Sequence, residues 1–303
     1  MGRVAVVKKS ILPANTNQAL AILSLKEGIY PKYIFYILKS EKITQIITSL
    51  KVGFAQYNLS LEQVSNLQIP LPPLEVQKAL VAELDGYQKI IDGARQVVDN
   101  WKPQININPD WPKVRLGDER YFKIESGGTP SSVISEYWNG KINWVTLVDL
   151  PANDFISEIK RTERTISELG LKKSSAKILP IKSILVSSRA TIGRIGINYI
   201  PLATNQGFKN IIIKDFRIVN EKFVALMIVP LVPQMDLLAS GGTYKEISKT
   251  SFSNLEISLP EIKTQNQIVA DIEAEQQMVD NNKKLIALYE QKIKDKVKEV
   301  WGE

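Results

Sequence analysis

The 303-residue sequence contains no cysteine and no histidine. The lack of cysteine excludes disulfide bonds and thiolate metal sites, and it is typical of a cytoplasmic protein. The lack of histidine excludes Ser-His and Cys-His catalysis, histidine-dependent metal nucleases and the usual zinc sites.

Long hydrophobic runs are missing as well. No apolar stretch approaches the roughly 18 residues of a membrane-spanning helix, and the opening MGRVAVVKKS lacks a signal-peptide cleavage pattern. The formal net charge of +7 favours a polyanionic partner, although many basic proteins bind no nucleic acid. We expect no membrane contact and, at this length, two domains.

The chain contains an internal repeat with a spacing of 188 residues, from Asn66 to Asn254. The segment NLQIPLPPLEVQKAL begins at Asn66, and the segment NLEISLPEIKTQNQI begins at Asn254. Each copy therefore predicts a short apolar strand, a proline stop and a long amphipathic helix. The pairs that share this spacing are Pro72 and Pro260, Gln77 and Gln265, Ala82 and Ala270, and Asp92 and Asp280.

Both long helices carry apolar residues at seven-residue intervals. Such spacing gives a narrow seam that packs against another helix, so we predict that the two helices pair as a coiled coil. The simpler alternative is that each helix lies on its own globular core. The residues predicted to pair are Leu80, Leu84, Tyr87, Ile91 and Val98 in the first helix, and Ile268, Ile272, Val279, Ile286, Tyr289, Ile293 and Val300 in the second.

Local patterns predict an α+β protein. Residues 2–28 and 67–71 read as strands, residues 29–50 as helix and residues 52–57 as a loop. Residues 112–260 are β-rich, with a brief helix over residues 166–169 that Thr165 would cap and Gly170 would end. The predicted boundaries are 1–73 for the distal half of a first domain, 74–102 for its helix, 103–111 for a linker, 112–260 for a complete second domain and 261–303 for the second helix.

The first copy of the repeat lacks a front half. GRIGINYIPLATNQGF from Gly193 corresponds to GRVAVVKKSILPANTNQAL from Gly2, so residues 112–192 have no counterpart before Met1. Half a domain exposes unpaired strand edges, which is unfavourable unless something covers them. We therefore expect either a truncated or rearranged reading frame or a second chain that completes the first domain.

Several motifs in the second copy resemble those of the specificity subunit of type I restriction–modification systems. The chain departs from that family only in the missing front of the first domain. The motifs that carry the resemblance are GGTPS (127–131), YWNG (137–140), INW (142–144), TISELGL (165–171), SSAKILP (174–180), SSRATIG (187–193), ATNQGF (203–208) and the Leu-Pro-plus-Gln entry to each long helix.

The resemblance implies a non-catalytic DNA-recognition protein. Each target-recognition domain of that family reads one half of a bipartite site, and an antiparallel pair of helices sets the gap between the halves. Methyltransferase (M) and restriction (R) subunits dock on the protein, and S-adenosylmethionine, ATP and Mg²⁺ belong to those partners. A second specificity-subunit chain or fragment is a further expected partner here, because the first domain is incomplete.

A sequence-specific DNA reader needs cations for phosphates and hydrogen-bonding side chains for base edges. Each candidate residue could instead be a solvated surface cation or a turn residue. Residues 127–130 are predicted to be structural, and Trp138 and Trp144 are predicted to lie in the core. The candidates are Arg161, Arg164, Lys172, Lys173, Ser187, Ser188, Arg189, Arg194, Asn205, Gln206, Lys209, Tyr244 and Lys245, the last two at the tip of the Gly-hinged loop 241–246.

Catalytic alternatives find little support. Asp154, Glu158 and Lys160 resemble the acidic set of some Mg²⁺ nucleases, but their spacing is too tight and such short matches are common by chance. The sequence contains no amino-methyltransferase, GxGxxG or phosphate-loop motif. Two other hypotheses stay open, namely an exchange-cassette or assembly remnant that reads at most one half-site and a coiled-coil adaptor without a DNA role.

Overall fold

The computed structural model describes residues 3–50, 59–152, 155–189, 191–241 and 245–302. The chain divides into unit 1, residues 1–102 and 275–303, and unit 2, residues 103–274. No helix among the described residues is long and apolar enough to cross a membrane.

Unit 1 is helical in its described part. Pro31 occupies a first-turn position of α1, where its missing N–H costs nothing, and the Ser40 hydroxyl caps α2. Ser60 and Gln63 form a reciprocal capping box at α3. The helices are α1 (Pro31–Leu38), α2 (Glu41–Ser49), α3 (Leu61–Ser65) and α4 (Leu74–Asn100). The predicted helix over residues 29–50 is therefore confirmed as two helices with a break between them.

The predicted strands of unit 1 are wrong. Residues 3–28 contain only a 3₁₀ turn at Lys9–Ile11, and residues 67–71 form no strand. A strand is stable only when another strand satisfies its backbone hydrogen bonds, and the described part of unit 1 offers none. The predicted loop 52–57 lies outside the described residues.

The described part of unit 2 contains ten short strands. Its sheets have the orders β2-β9-β6-β7-β4, β5-β3-β8 and β1-β10, and the pairs β4–β7 and β3–β8 are parallel. The strands are β1 (Lys113–Arg115), β2 (Phe122–Ser126), β3 (Trp138–Val145), β4 (Ser157–Ile159), β5 (Arg164–Ile166), β6 (Ile184–Ser187), β7 (Ile195–Asn198), β8 (Leu202–Thr204), β9 (Phe208–Ile213) and β10 (Glu256–Ser258).

Helices α5 (Glu168–Lys172), α6 (Glu221–Ile228), α7 (Val232–Leu238) and α8 (Lys249–Ser253) connect or cover these sheets. Buried residues such as Leu150, Leu185 and Phe208 form one core cluster. The predicted brief helix is displaced, because Thr165 lies in β5 and the Ser167 hydroxyl caps α5 by accepting a hydrogen bond from the Gly170 N–H at 3.0 Å.

The strands that repeat in sequence find their partners elsewhere in unit 2. Strands β7, β8 and β9 pair with β2, β3, β4 and β6, all within residues 122–213. Likewise β10 pairs with β1, with Ile257 opposite Val114. Residues 3–28 and 67–71 resemble these strands in sequence, yet the part of unit 1 that the structure describes supplies no equivalent of β1 to β6.

The long helix α9 (Ile262–Trp301) continues without interruption from unit 2 into unit 1. Within unit 1 its residues 275–301 pack against α4 in the antiparallel direction. The rings of Tyr87 and Tyr289 are 5.4 Å apart, and the Trp101 indole donates a hydrogen bond to the Glu275 carboxylate at 2.9 Å. Because the later residue on α4 meets the earlier residue on α9, the pairing is antiparallel, as the coiled-coil interpretation requires.

Every predicted seam residue is buried or half-buried. Leu84 and Ile91 are fully buried, and Arg95 forms an ion pair with Glu290 at 2.5 Å beside them. Leu80, Ile272 and Val279 are also buried, and the half-buried members are Tyr87, Val98, Ile268, Ile286, Tyr289, Ile293 and Val300. Ile268 and Ile272 belong to unit 2, so only the other members take part in unit 1.

The seam prediction missed a second buried flank of α4. Val81 of α4 and Val297 of α9 are buried with Tyr33 and Ile37 of α1, because α1 packs on α4 next to α9. The two interpretations of the helices are therefore both correct in part: α4 pairs with α9 and also lies on a small core.

Candidate nucleic-acid interface

The glycine pair at Gly127 and Gly128 lets three backbone segments meet in unit 2. A Cβ atom on Gly127 would lie 1.8 Å from the Asn205 carbonyl oxygen, and one on Gly128 would lie 2.2 Å from the Ala176 nitrogen. The Gly128 N–H donates to the Thr204 carbonyl at 2.8 Å. Only glycine fits at these positions, so the predicted structural role is confirmed for Gly127 and Gly128.

Two tryptophans are fixed by the same segment. The Trp144 indole is buried and donates to the Gly128 carbonyl at 2.9 Å, and the half-buried Trp138 indole donates to the Ser131 carbonyl at 3.0 Å. Their rings pack edge to face with centroids 5.0 Å apart. Both belong to the core cluster of the three-stranded sheet, as predicted.

Arg164 covers these two rings from the solvent side. Its guanidinium carbon lies 4.1 Å from the Trp138 ring centroid and 5.2 Å from that of Trp144. The residue is exposed, and among the described residues its guanidinium has no ion pair and no hydrogen bond. Cation–π contact of this kind restrains the position of the guanidinium without using its N–H donors.

Four other predicted cations are free of carboxylates. Arg161, Lys172, Lys173 and Lys245 are exposed, and none of them forms an ion pair within the described ranges. Arg161 lies before β5, which belongs to the three-stranded sheet. Lys172 and Lys173 lie at the end of α5, which follows β5 in the chain. Tyr244, which was predicted beside Lys245, lies outside the described residues.

Ser187 and Ser188 are buried and do not reach solvent. The Ser187 hydroxyl donates to the Thr191 carbonyl at 2.6 Å and accepts from the Arg194 N–H at 2.8 Å, so it holds the turn between β6 and β7. The Ser188 hydroxyl accepts from the Lys209 ammonium at 3.1 Å. The structure therefore assigns these hydroxyls to the interior of the domain, contrary to the expectation that they contact DNA.

Lys209 is buried as well, with its side chain only 5% exposed. Its ammonium group also pairs with the Glu246 carboxylate at 2.8 Å. The pair ties the end of loop 241–246 to β9, and a buried cation that is already neutralised is a poor phosphate contact. No local pattern indicates this partner, because Glu246 lies 37 positions away along the chain.

The remaining candidates divide between structural and accessible positions. The Arg194 guanidinium donates to the carbonyls of Leu147 and Leu150 at 3.1 and 2.8 Å and so holds the interior of the domain together. The Asn205 side chain accepts from the Gly207 N–H at 2.8 Å, which shapes the turn before β9. Arg189 is half-buried, and its backbone forms a β-bridge with Glu246. Gln206 is exposed, and its side chain is hydrogen-bonded to Thr129.

Two members of the nuclease-like set, Glu158 and Lys160, lie among the described residues. Glu158 pairs with Lys160 at 2.6 Å, and the hydrogen bond from that ammonium group lowers the pKa of the Glu158 carboxyl. Asp154 lies outside the described residues. Within the described ranges, no three acidic side chains are grouped so that they could hold a metal ion.

The family model for the type I restriction modification DNA specificity domain matches residues 1–98 and 108–291. The chain belongs to this family. The expectation of a non-catalytic specificity subunit agrees with the assignment, because the similar curated proteins are named as specificity subunits of type I restriction enzymes.

Three such relatives give the extent of the match. The MjaIX specificity subunit of Methanocaldococcus jannaschii is 34% identical over 178 residues, which cover 59% of this chain and 40% of that protein. The putative MjaX specificity subunit of the same organism is 25% identical over 86% of this chain and 64% of its own length. The Escherichia coli EcoR124I/EcoR124II specificity subunit is 25% identical, with coverages of 78% and 61%. The chain thus spans less than two thirds of these relatives.

Two solved structures share the fold of this specificity-domain family member. The HsdS subunit from Thermoanaerobacter tengcongensis aligns with a TM-score of 0.53 at 20% identity, over 90% of this chain and 70% of that one. A chain from a study of complex assembly and conformational transition of the type I R-M system aligns with a TM-score of 0.59 at 21% identity, over 89% and 70%. At these identities the likeness establishes the fold alone.

Proposed function

We propose that this chain is the DNA-sequence-recognition subunit of a type I restriction–modification complex and that unit 2 reads one half of a bipartite target. The carrying observation is that a family model for DNA specificity domains matches both copies of the repeat, and unit 2 contains three sheets and accessible cations. In this proposal the paired helices set the distance between the two half-sites.

The accessible cations of unit 2 are the proposed phosphate contacts. Arg161, Lys172, Lys173 and Lys245 are exposed and have no competing carboxylate among the described residues. Phosphate contacts of this kind provide affinity and register without sequence information. Base recognition would come from polar side chains at the same surface, of which Arg164 and Gln206 are the accessible members of the predicted set.

The proposal includes docking of M and R subunits on the helix pair. Ile90 and Val97 on α4 and Met278, Leu285 and Leu288 on α9 form an exposed apolar strip, which we call the outer strip. At roughly 100° per residue, Leu285 lies on the opposite side of α9 from Lys294, which contacts α2 through Glu41. The outer strip therefore faces away from α1 and α2, and an unpartnered apolar strip of this kind is typical of a subunit interface.

Two helix-interior glycines support close approach by a partner at the outer strip. Gly86 and Gly93 lie seven residues apart on α4, on the flank of Ile90 and Val97. A Cβ atom at either position would meet no described atom within 4 Å. Glycine inside a helix costs about 1 kcal/mol relative to alanine, and here nothing in the described chain offsets that cost. A docked helix would use the space that the missing side chains leave.

We further propose that the chain carries no cofactor of its own. S-adenosylmethionine, ATP and Mg²⁺ would be bound by the M and R subunits, in the cytoplasm where chromosomal DNA is available. Methylation and cleavage would be catalysed by those partners, and this chain would supply the DNA sequence specificity.

A second candidate function is an exchange-cassette or assembly remnant that binds partners but reads at most one half-site. It is favoured by the absence of strands in the described part of residues 3–28 and 67–71, which leaves the first copy without a sheet. A second specificity-subunit chain or fragment that supplies strands would restore the two-site function.

A randomised-site selection on the chain co-purified with its methyltransferase subunit separates these functions. The leading proposal predicts adenine methylation at a selected sequence with two specified parts and a fixed gap. A selected sequence with one specified part favours the remnant. A complex that shows no salt-dependent affinity for duplex DNA and selects no sequence contradicts both and favours the coiled-coil adaptor.

Docking is tested by charge placed on the outer strip. Leu285→Glu combined with Ile90→Glu should abolish co-purification of the methyltransferase subunit while the circular-dichroism melting curve stays unchanged. Gln96→Glu, on an exposed polar position of α4, is the matched control and should leave co-purification intact. Undiminished co-purification of the double variant would remove the outer strip from the proposal.

A further inference from the structure

We infer that Arg164 is a specificity-determining residue that reads a guanine base in the target duplex, an inference that rests on the proposed function. The distinguishing observation is the stack of Arg164 on Trp138 and Trp144, at 4.1 and 5.2 Å. Arg120, Lys160 and Lys182 each lie over a single ring, and each pairs with a carboxylate. The four proposed phosphate contacts have no ring beneath them among the described residues.

The platform beneath Arg164 is rigid. Each indole donates its only polar hydrogen to a backbone carbonyl of the 128–131 segment, at 2.9 Å from Trp144 and 3.0 Å from Trp138. Gly128 cannot shift, because it is itself hydrogen-bonded to Thr204 and packed against Ala176. The edge-to-face contact of the two rings then fixes their mutual angle at 81°. A side chain stacked on this platform has few accessible orientations.

The stack leaves the hydrogen-bonding edge of the guanidinium unused. Contact with the two rings holds the position of the guanidinium without a hydrogen bond, so its five N–H donors stay available. None of them has an acceptor among the described residues, and the residue is exposed. The backbone of Arg164 is held in register opposite Trp144 in β3, so the direction of the side chain is also set.

The donors of a guanidinium can bind a phosphate or a base edge, and a guanidinium held in place over two rings suits a base edge, whose acceptors have fixed positions. In the major groove guanine alone presents two adjacent acceptors, O6 and N7, which a guanidinium binds in bidentate fashion. Phosphate contacts need charge but no fixed plane, and Arg161, which precedes β5 and stacks on no aromatic ring of the described chain, suits that role. Thr162 and Asn143 hydrogen-bond to each other at 3.2 Å beside Arg164, so the neighbourhood is polar.

The test uses the chain in complex with its methyltransferase subunit and three variants in the randomised-site selection. Arg164→Lys keeps the charge and loses the fork, Arg164→Ala removes both, and Arg161→Ala is the matched control. The wild-type complex should specify guanine at one position. Arg164→Lys should reduce that preference roughly tenfold or more while non-specific affinity changes little. Arg161→Ala should lower affinity for all sequences and keep the guanine.

The outcomes are distinguishable. If Arg164→Lys retains the guanine preference, the inference is overturned and the residue only covers the tryptophans, whether or not Arg164→Ala still folds. If the wild-type complex selects no sequence at all, the proposed function itself fails and the inference fails with it. A specified wild-type sequence without guanine at any position overturns the inference alone.

Discussion

Gln77 and Gln265 hold the starts of the two long helices with the same hydrogen bonds. The carboxamide oxygen of Gln77 accepts from the Tyr30 N–H at 2.9 Å, and that of Gln265 accepts from the Asn220 N–H at 2.9 Å. Each amide nitrogen donates to the carbonyl of the proline five residues earlier, at 2.7 Å in both cases. Both side chains are at most 1% exposed. The sequence repeat is thus a repeat of an interaction that anchors a helix to its neighbour.

Each long helix also forms an ion pair with a short helix, at a position C-terminal to its anchoring glutamine. Lys32 on α1 pairs with Asp85 on α4, and Lys222 on α6 pairs with Glu273 on α9. The hydrogen bond to Glu273 raises the pKa of the Lys222 ammonium group. In each copy a lysine at the second position of a short helix meets a carboxylate on the long one, so the two docking geometries are equivalent.

Replacing Gln265 should destabilise unit 2. Gln265→Leu keeps a similar volume but leaves the Asn220 N–H and the Pro260 carbonyl buried without partners, which we expect to cost about 3 kcal/mol. Urea unfolding followed by circular dichroism measures the loss. Gln267→Leu is the control, since that side chain is exposed and bonds only to Asp271 on its own helix. Equal stability of the two variants would contradict the anchoring role.

Removing Glu246 should cost more than removing Lys209. Glu246→Ala leaves the buried Lys209 ammonium with only the Ser188 hydroxyl, and an uncompensated buried charge costs about 3 kcal/mol or more. Lys209→Met leaves a carboxylate that is 34% exposed and can be solvated by water, so the loss should be smaller. The melting temperatures of the two variants decide the order, and the reverse order would show that the carboxylate is the buried partner.

The proposed phosphate contacts predict a change in salt dependence. Replacing any one of Arg161, Lys172, Lys173 and Lys245 by alanine should weaken binding to all duplexes. The slope of log affinity against log salt concentration should become shallower by about 0.9 for each phosphate that is no longer neutralised. Lys160→Ala is the control, because Glu158 already neutralises that ammonium group. A slope unchanged by all four replacements would remove these residues from the interface.

The contact between α2 and α9 should weaken in acid. A hydrogen bond from Lys294 lowers the pKa of the Glu41 carboxyl from its ordinary value of 4.5, with Lys298 adding a smaller effect. Because the folded-state pKa is below the unfolded-state pKa, the stabilisation is complete above about pH 4.5 and disappears as the pH falls through the lowered pKa.

Thermal melting of the wild type and Glu41→Gln at pH 7 and pH 3 measures this effect. The wild type should melt higher at pH 7, and the difference should shrink at pH 3, because a larger fraction of the Glu41 carboxyl is protonated there. A gap between the two proteins that grows on acidification would contradict the assignment of the Lys294 pair.

Much of the helical part of the fold could be predicted from the sequence, because its determinants are local. The heptad spacing of Leu84, Ile91 and Val98 reflects the period of the helix itself. Ser40 and Ser60 cap α2 and α3 through atoms three residues away. The buried flank at Val81 was missed, since nothing in the spacing of α4 indicates that α1 packs there.

The candidate site was less predictable, because a side chain's accessibility depends on distant segments. Ser188 and Lys209 are polar residues of the kind that contact DNA, yet Glu246 and the strands around them bury both. Arg164 stands out only because β5 pairs with β3 and brings it over Trp144. Charge alone did not separate it from Arg161.

The sequence by itself determined the repeat, the long helices with their apolar seams, and the glutamines that anchor them. Tertiary structure decided which copy of the repeat contains sheets. Residues 67–71 and 255–259 are alike in sequence, but only the second segment forms a strand, because Val114 and its neighbours pair with Ile257. Helical hydrogen bonds close within the segment that makes them, whereas strand hydrogen bonds close only with a partner from elsewhere in the chain.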